Sequence, residues 1–285
     1  MVIGYRRPHD RSDPPLGWTD ADGRRAGVAN PLAEFPEADD FSFRDVAAGP
    51  QSVLVSGIVQ AGEKALRLPP RHVILTYDLN GALRRKWVTN PFYFRQIAVD
   101  HAGNVYGLGV RLDGVRVANL VRKYSADGAV QGEFFPSALM ATGERSMYTN
   151  RGDNQFWIGD DRLCVYMADS DELFEFDLDG KLQRRTSLHE PLARLARDHH
   201  GARAEIVTLA GNPRAVSEIA EVRIWTQGDE DVSPALVRLF LDGRRPQTLE
   251  AADGTALATA SFPLLGTIGD EVLFLNRYTA TLLRR

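Results

Sequence analysis

The sequence predicts an all-β fold, a β-propeller of four-stranded antiparallel blades, on three observations. An apolar or aromatic run followed by Asp or Asn and then Gly recurs five times. The copies are Trp18-Thr-Asp-Ala-Asp22-Gly23, Tyr77-Asp-Leu-Asn80-Gly81, Tyr124-Ser-Ala-Asp127-Gly128, Phe176-Asp-Leu-Asp179-Gly180 and Leu239-Phe-Leu-Asp242-Gly243. These copies stand roughly fifty residues apart, about the length of one blade. A second phrase lies upstream of the first: an apolar strand, a Gly/Asp turn, then an alternating β-branched or aromatic strand. Repetition of β texture at this period points to radial blades rather than to a single closed sheet.

Each blade is expected to hold strands a to d, counted from the axis outward. The Asp-Gly phrase fits the c-to-d turn, where it supplies the positive φ angles of a two-residue hairpin. The second phrase fits the a-to-b turn and is fullest at Ile97-Ala-Val-Asp100-His-Ala-Gly103-Asn-Val-Tyr106. Related copies are Leu195-Ala-Arg-Asp198-His-His-Gly201 and Leu265-Gly-Thr-Ile-Gly269-Asp-Glu-Val-Leu-Phe274. Weaker ones are Val46-Ala-Ala-Gly49 before Ser52-Val-Leu-Val55, and Trp157-Ile-Gly159-Asp-Asp before Leu163-Cys-Val-Tyr166.

From these marks the chain is expected to be one domain over residues 1–285, with blades at 37–90, 91–140, 152–190, 191–250 and 260–285. The last blade lacks an outer strand, and an N-terminal strand at residues 2–6 or 24–29 would supply it and close the ring without a free edge. Residues 1–36 either do only that, giving five blades, or hold most of a further blade around Trp18–Gly23, giving the favoured six.

The run Ile97–Tyr106, followed by Val121-Arg-Lys-Tyr124-Ser-Ala-Asp127-Gly128, resembles the NHL-type repeat of six-bladed β-propellers. The likeness is partial at Leu173-Phe-Glu-Phe176-Asp-Leu-Asp179-Gly180 and loose elsewhere. It implies the fold and little more, because NHL-like propellers include binding scaffolds, lyases and hydrolases.

Composition narrows the classes of function. A net charge of −4 without a basic stripe argues against a nucleic-acid partner. No stretch approaches eighteen consecutive apolar residues, so no membrane span is expected. Residues 1–15 carry Arg6, Arg7, His9, Asp10 and Arg11 without an apolar centre and do not read as a signal peptide. The single cysteine, Cys164, sits in the apolar run Leu163-Cys-Val-Tyr166 and reads as a small buried hydrophobe.

No pattern in the chain announces catalysis. There is no Gly-x-Ser-x-Gly, and Asp198-His199-His200-Gly201 aligns with the Asp100–Gly103 turn, so the two histidines are expected to be exposed turn residues. Asp169-Ser-Asp171-Glu172 offers oxygen ligands for calcium but falls in a b-to-c loop, where a solvated turn is commoner. Asp177-Leu-Asp179-Gly180 resembles the start of a calcium loop but lacks the later bidentate Glu. Asp229-Glu-Asp231 reads as a charged loop, and Arg151-Gly-Asp153 as a chance match to an adhesive tripeptide.

Function is therefore expected on the face where the d-to-a and b-to-c loops open. The d-to-a loops include residues 90–95 and 137–153. The b-to-c loops include residues 57–71, 108–119, 169–172 and 227–234. Arg and aromatic residues there suit anionic or planar groups, and the candidate ligand-binding residues are Tyr93, Arg95, Asp113, Tyr148, Arg151, Asp153 and Asp169. Equally, Phe92 and Phe94 would serve to pack blade on blade and Arg95 would begin strand a. The expected protein is a non-catalytic propeller that needs no cofactor and binds a ligand or protein partner. The alternative is a small-molecule hydrolase or lyase of the lactonase-like kind. It would use Asp169, Asp153 and Asp113, with Arg95 or Arg151 as electrostatic partners and a divalent ion such as calcium possible.

Overall fold

A computed structural model describes residues 2–5, 16–20, 24–60, 70–111, 119–139, 154–159, 161–210, 217–225, 232–242, 244–249, 264–268, 271–276 and 281–284. The chain divides into two compact units, Met1–Tyr148 and Thr149–Arg285.

In the first unit, β1 (Val2–Tyr5), β2 (Leu16–Thr19) and β3 (Arg25–Ala29) form a three-stranded antiparallel sheet. A four-stranded sheet follows, made of β4 (Asp40–Ala48), β5 (Ser52–Gln60), β6 (Arg71–Asp78) and β7 (Leu83–Val88) in chain order. The next sheet is built the same way from β8 (Phe92–Val99), β9 (Val105–Arg111), β10 (Asn119–Tyr124) and β11 (Val130–Pro136). The second unit holds β12 (Gln155–Gly159), β13 (Arg162–Met167), β14 (Glu172–Asp177) and β15 (Leu182–Ser187) as one sheet. Helix α1 (His189–Asp198) comes next, then β16 (Arg203–Ala210), β17 (Ser217–Trp225), β18 (Val232–Phe240) and β19 (Gln247–Thr248) as another. Strands β20 (Leu264–Ile268), β21 (Glu271–Asn276) and β22 (Thr281–Arg284) make a three-stranded sheet. The architecture is all-β, built of four-stranded antiparallel meanders, the form of a propeller blade.

The period-2 alternation of the strands fixes which side chains each sheet buries on which side. Val53, Val55, Val73, Leu75 and Tyr77 pack with Leu16 and Trp18 of the preceding sheet. Leu54 and Ile74, on the opposite face of the same strands, pack with Phe92, Phe94, Ile97, Val105 and Tyr124 of the following sheet. Because both faces are covered, β5 and β6 read as near-continuous apolar runs. In the second unit, Tyr166 and Leu173 share a core with α1 and the β16–β18 sheet.

Three of the Asp-Gly phrases, at Asp78–Gly81, Ser125–Gly128 and Asp177–Gly180, do lie between strands c and d, but not as two-residue turns; Asp22-Gly23 and Gly243 lie outside the described residues. Asp78 N–H donates to the Ala82 carbonyl (2.9 Å) and Gly81 N–H to the Asp78 carbonyl (3.0 Å), and only Gly81 takes a positive φ, of 93°. This is a three-residue loop, a type I turn followed by a left-handed glycine, which places a bulge beside the hairpin. The leading Asp78 side chain accepts the N–H groups of Asn80 and Ala82, which is why an acid starts the phrase. Residues 125–129 and 177–181, and the a-to-b turn at 100–104, repeat the backbone pattern.

One expected a-to-b turn is overturned. Leu195–Gly201 ends α1: Leu192, Leu195 and Ala196 form its buried stripe, at helical rather than strand spacing. His200 takes the left-handed position (φ 55°). The N–H groups of His200 and Gly201 return to the Arg197 and Ala196 carbonyls, a Schellman closure. A Cβ on Gly201 would run into Ile224, so glycine is required there by packing. His199 and His200 are exposed, as expected, but at a helix end. The helix also accounts for the length of the 191–250 segment. Cys164 is buried, at 7% exposure.

Candidate functional site

In the first unit, the first strands of two successive sheets carry the same irregularity. In β4, Phe43 pairs with Gly57 and Asp45 with Ser56, leaving Arg44 as the extra residue of a β-bulge. In β8, Phe94 pairs with Gly109 and Gln96 with Leu108, leaving Arg95 in the same role. A bulge re-aims the side chain it carries and leaves it outside the ladder. The opposing residue is glycine each time for steric reasons. A Cβ on Gly57 would collide with the Phe41 ring, and one on Gly109 with the Tyr93 carbonyl.

The two strands are tied across sheets. The Asp45 Oδ2 accepts the Ile97 N–H at 2.7 Å, two residues beyond Arg95. Burial nevertheless outweighs this bond and pushes the Asp45 carboxyl up to about 6. His72, at the start of β6, is 3% exposed and donates its backbone N–H to Asn90 Oδ1 (2.7 Å), whose Nδ2 returns to the Pro70 carbonyl (3.1 Å). The Tyr93 hydroxyl donates to the same carbonyl (3.4 Å), and its ring centroid lies 3.5 Å from that of His72. His72 Nε2 has no hydrogen-bond partner among the described residues. Burial, then the Arg44 charge, pushes its pKa down to about 3, so the ring is neutral at physiological pH. The Arg95 guanidinium is likewise held below its usual range by burial and then by Arg44. The Arg44 charge thus bears on both the Arg95 guanidinium and the neutral His72 ring, which packs against Tyr93.

Two of the residues expected from sequence, Tyr93 and Arg95, belong to this group, but within β8 rather than in a loop, since the strand begins at Phe92. Phe92 and Phe94 are buried and pack sheet on sheet. Asp113, Tyr148, Arg151 and Asp153 lie outside the described residues, as does Asp229-Glu-Asp231.

Asp169 is exposed in the β13–β14 turn of the second unit. Its neighbours do not converge with it. Asp171 accepts from the Tyr166 hydroxyl (3.0 Å) and faces His189 Nδ1 (3.5 Å), while Glu172 pairs with Arg185 (2.7 Å). Asp171 has a left-handed backbone (φ 51°), and burial raises its carboxyl above the usual range. Asp177 spends its Oδ1 on the N–H groups of Asp179 and Lys181, which closes a turn rather than opening a cation site.

Sequence reasoning missed Arg44 and His72. The signal for Arg44 was present: Phe41-Ser-Phe43-Arg44-Asp45-Val46-Ala47 recurs one blade later as Phe92-Tyr-Phe94-Arg95-Gln96-Ile97-Ala98. His72 carries no such mark, because its place depends on the neighbouring sheet.

No family model matches this chain, and no curated protein does. Among solved structures, it is similar to the β-propeller domain of the Trilobed protease from Pyrococcus furiosus. Identity is 7%, with 83% of this chain and 63% of that one covered, at a TM-score of 0.47. It is also similar to a chain of a nidogen/laminin complex (13% identity, 87% and 76% covered, TM-score 0.44). A third is the glutaminyl cyclase of Myxococcus xanthus (11% identity, 87% and 91% covered, TM-score 0.36). No helix among the described residues is long and apolar enough to cross a membrane.

Proposed function

We propose that this chain is a single β-propeller domain of NHL-like type, with its successive sheets as six blades, and that it is a non-catalytic binding protein. Its ligand or protein partner sits on the face where the d-to-a and b-to-c loops emerge. The observation that carries this reading is the set of Arg44 on the β4 bulge, Arg95 on the matching β8 bulge, and the ring pair of His72, at the start of β6, with Tyr93. Its polar groups suit recognition, and the neutral His72 has no hydrogen-bond partner at Nε2 among the described residues, so no hydrogen bond there orients it as a general base. A panel of peptides and small molecules screened by thermal shift tests the reading. Compounds that stabilise the wild type are expected to lose that effect in Tyr93→Leu. A panel whose stabilising compounds act equally on both proteins overturns it.

A second reading, a small-molecule hydrolase or lyase, draws support from Asp171. Its strained backbone, half-buried carboxyl and His189 neighbour are the surroundings in which acids acquire catalytic poise. Ester and lactone turnover abolished by Asp171→Asn would favour it.

A further inference from the structure

We propose that Arg44 and Arg95 together grip one oxyanion group of the ligand, a phosphate or a carboxylate, with His72 Nε2 as a third polar contact. The proposal rests on the binding reading above and names the chemistry that reading leaves open.

The doubled bulge is the geometric ground. A bulged residue is free of the ladder's alternation, and here the same device appears on the first strands of two successive sheets, with the Asp45–Ile97 bond holding them in register. Two arginines thereby occupy matching positions on neighbouring strands, through backbone geometry that glycines at 57 and 109 make possible. A planar fork of N–H donors matches phosphate and carboxylate better than any other common group.

The electrostatics agree. Arg44 is exposed and makes no hydrogen bond or ion pair among the described residues. Its charge bears on Arg95, so an anion placed here would ease that like-charge repulsion as well as gain its own contacts. Asp45, the carboxyl nearest in sequence, is engaged by the Ile97 N–H.

His72 supplies the independent sign. A ring 97% withdrawn from solvent whose Nε2 has no partner is costly unless something completes it, and a neutral imidazole can donate or accept there. Its backbone is fixed by Asn90 and its ring by Tyr93, so it is preset rather than loose. Tyr93 adds an aromatic surface for whatever carries the oxyanion.

The test uses the full chain labelled with 15N at histidine and arginine, titrated separately with inorganic phosphate and with acetate. Saturable shifts of the His72 ring nitrogens and the Arg44 Nε are expected, and the tighter probe identifies phosphate or carboxylate. Arg44→Gln is expected to weaken binding about tenfold, Arg44→Lys less, and Arg84→Gln, on the exposed β7, not at all. Arg95→Gln should act like Arg44→Gln. Because Arg44 is exposed, its variants remain decisive even where Arg95→Gln fails to fold. Shifts that do not saturate, or that are the same in Arg44→Gln as in the wild type, overturn the proposal. A ligand that Tyr93→Leu releases but Arg44→Gln and excess phosphate leave bound sinks the oxyanion and spares the binding reading. A ligand indifferent to all three sinks both.

Discussion

Two buried titratable groups, Asp45 and His72, pull the pH dependence of stability in opposite directions. Asp45 has a folded pKa raised to about 6, so the folded chain binds more protons than the unfolded one between about 4 and 6, and stability falls as pH rises through that window. His72 has a folded pKa lowered to about 3, so the unfolded chain binds more protons between about 3 and 6.5, and stability rises with pH there. Single substitutions should unmask each. Asp45→Asn keeps an acceptor for Ile97 N–H and should steepen the gain in stability from pH 4 to 6, by about 2 kcal/mol across the window. His72→Phe should reverse the slope. Urea titrations at a series of pH values check both, and parallel wild-type and Asp45→Asn profiles would contradict the assignment. At α1, His200 holds a left-handed position that glycine occupies more easily, so His200→Gly should stabilise by about 0.5–1 kcal/mol in the same assay.

At the scale of elements, glycine placement decides whether the bulges can form. Gly109→Ala puts a methyl group into the Tyr93 carbonyl, a backbone atom that cannot step aside, and should cost about 2 kcal/mol or more in denaturant unfolding. Gly132→Ala, where nothing lies near the added carbon, is the matched control and should be close to neutral. The strands and their order were legible in the sequence because turn chemistry is local: Asp78 and Gly81 satisfy one another's backbone within five residues. Helix α1 was not, because Asp198–Gly201 ends in glycine just as Asp100–Gly103 does. The glycine itself takes the left-handed position in the Asp100 turn, whereas at the helix end His200 does so and the following Gly201 packs against Ile224. Arg95 was readable both as chemistry and as part of strand a, while Tyr93 was placed in the preceding loop. His72 was invisible, since an unpartnered nitrogen is a property of packing between sheets.

Over the whole molecule, a net charge of −4 surrounds two arginines of which one bears on the other's charge. Phosphate affinity should therefore drop several-fold between about 20 and 300 mM sodium chloride, as screening and chloride competition erase the local attraction. An affinity indifferent to salt would mean that the contacts are not ionic. The two bulges also change what length variation each bulged strand can absorb. Removing a residue from a regular ladder turns every side chain beyond it to the wrong face. Excising Arg44 itself would merely restore ordinary pairing between Phe43, Asp45 and their partners on β5. A one-codon loss at that point should leave a folded but anion-blind chain, whereas the same loss at Val55, in a strand whose pairing with β6 has no bulge, should abolish folding. Chain length at this site can thus change without the architecture following it.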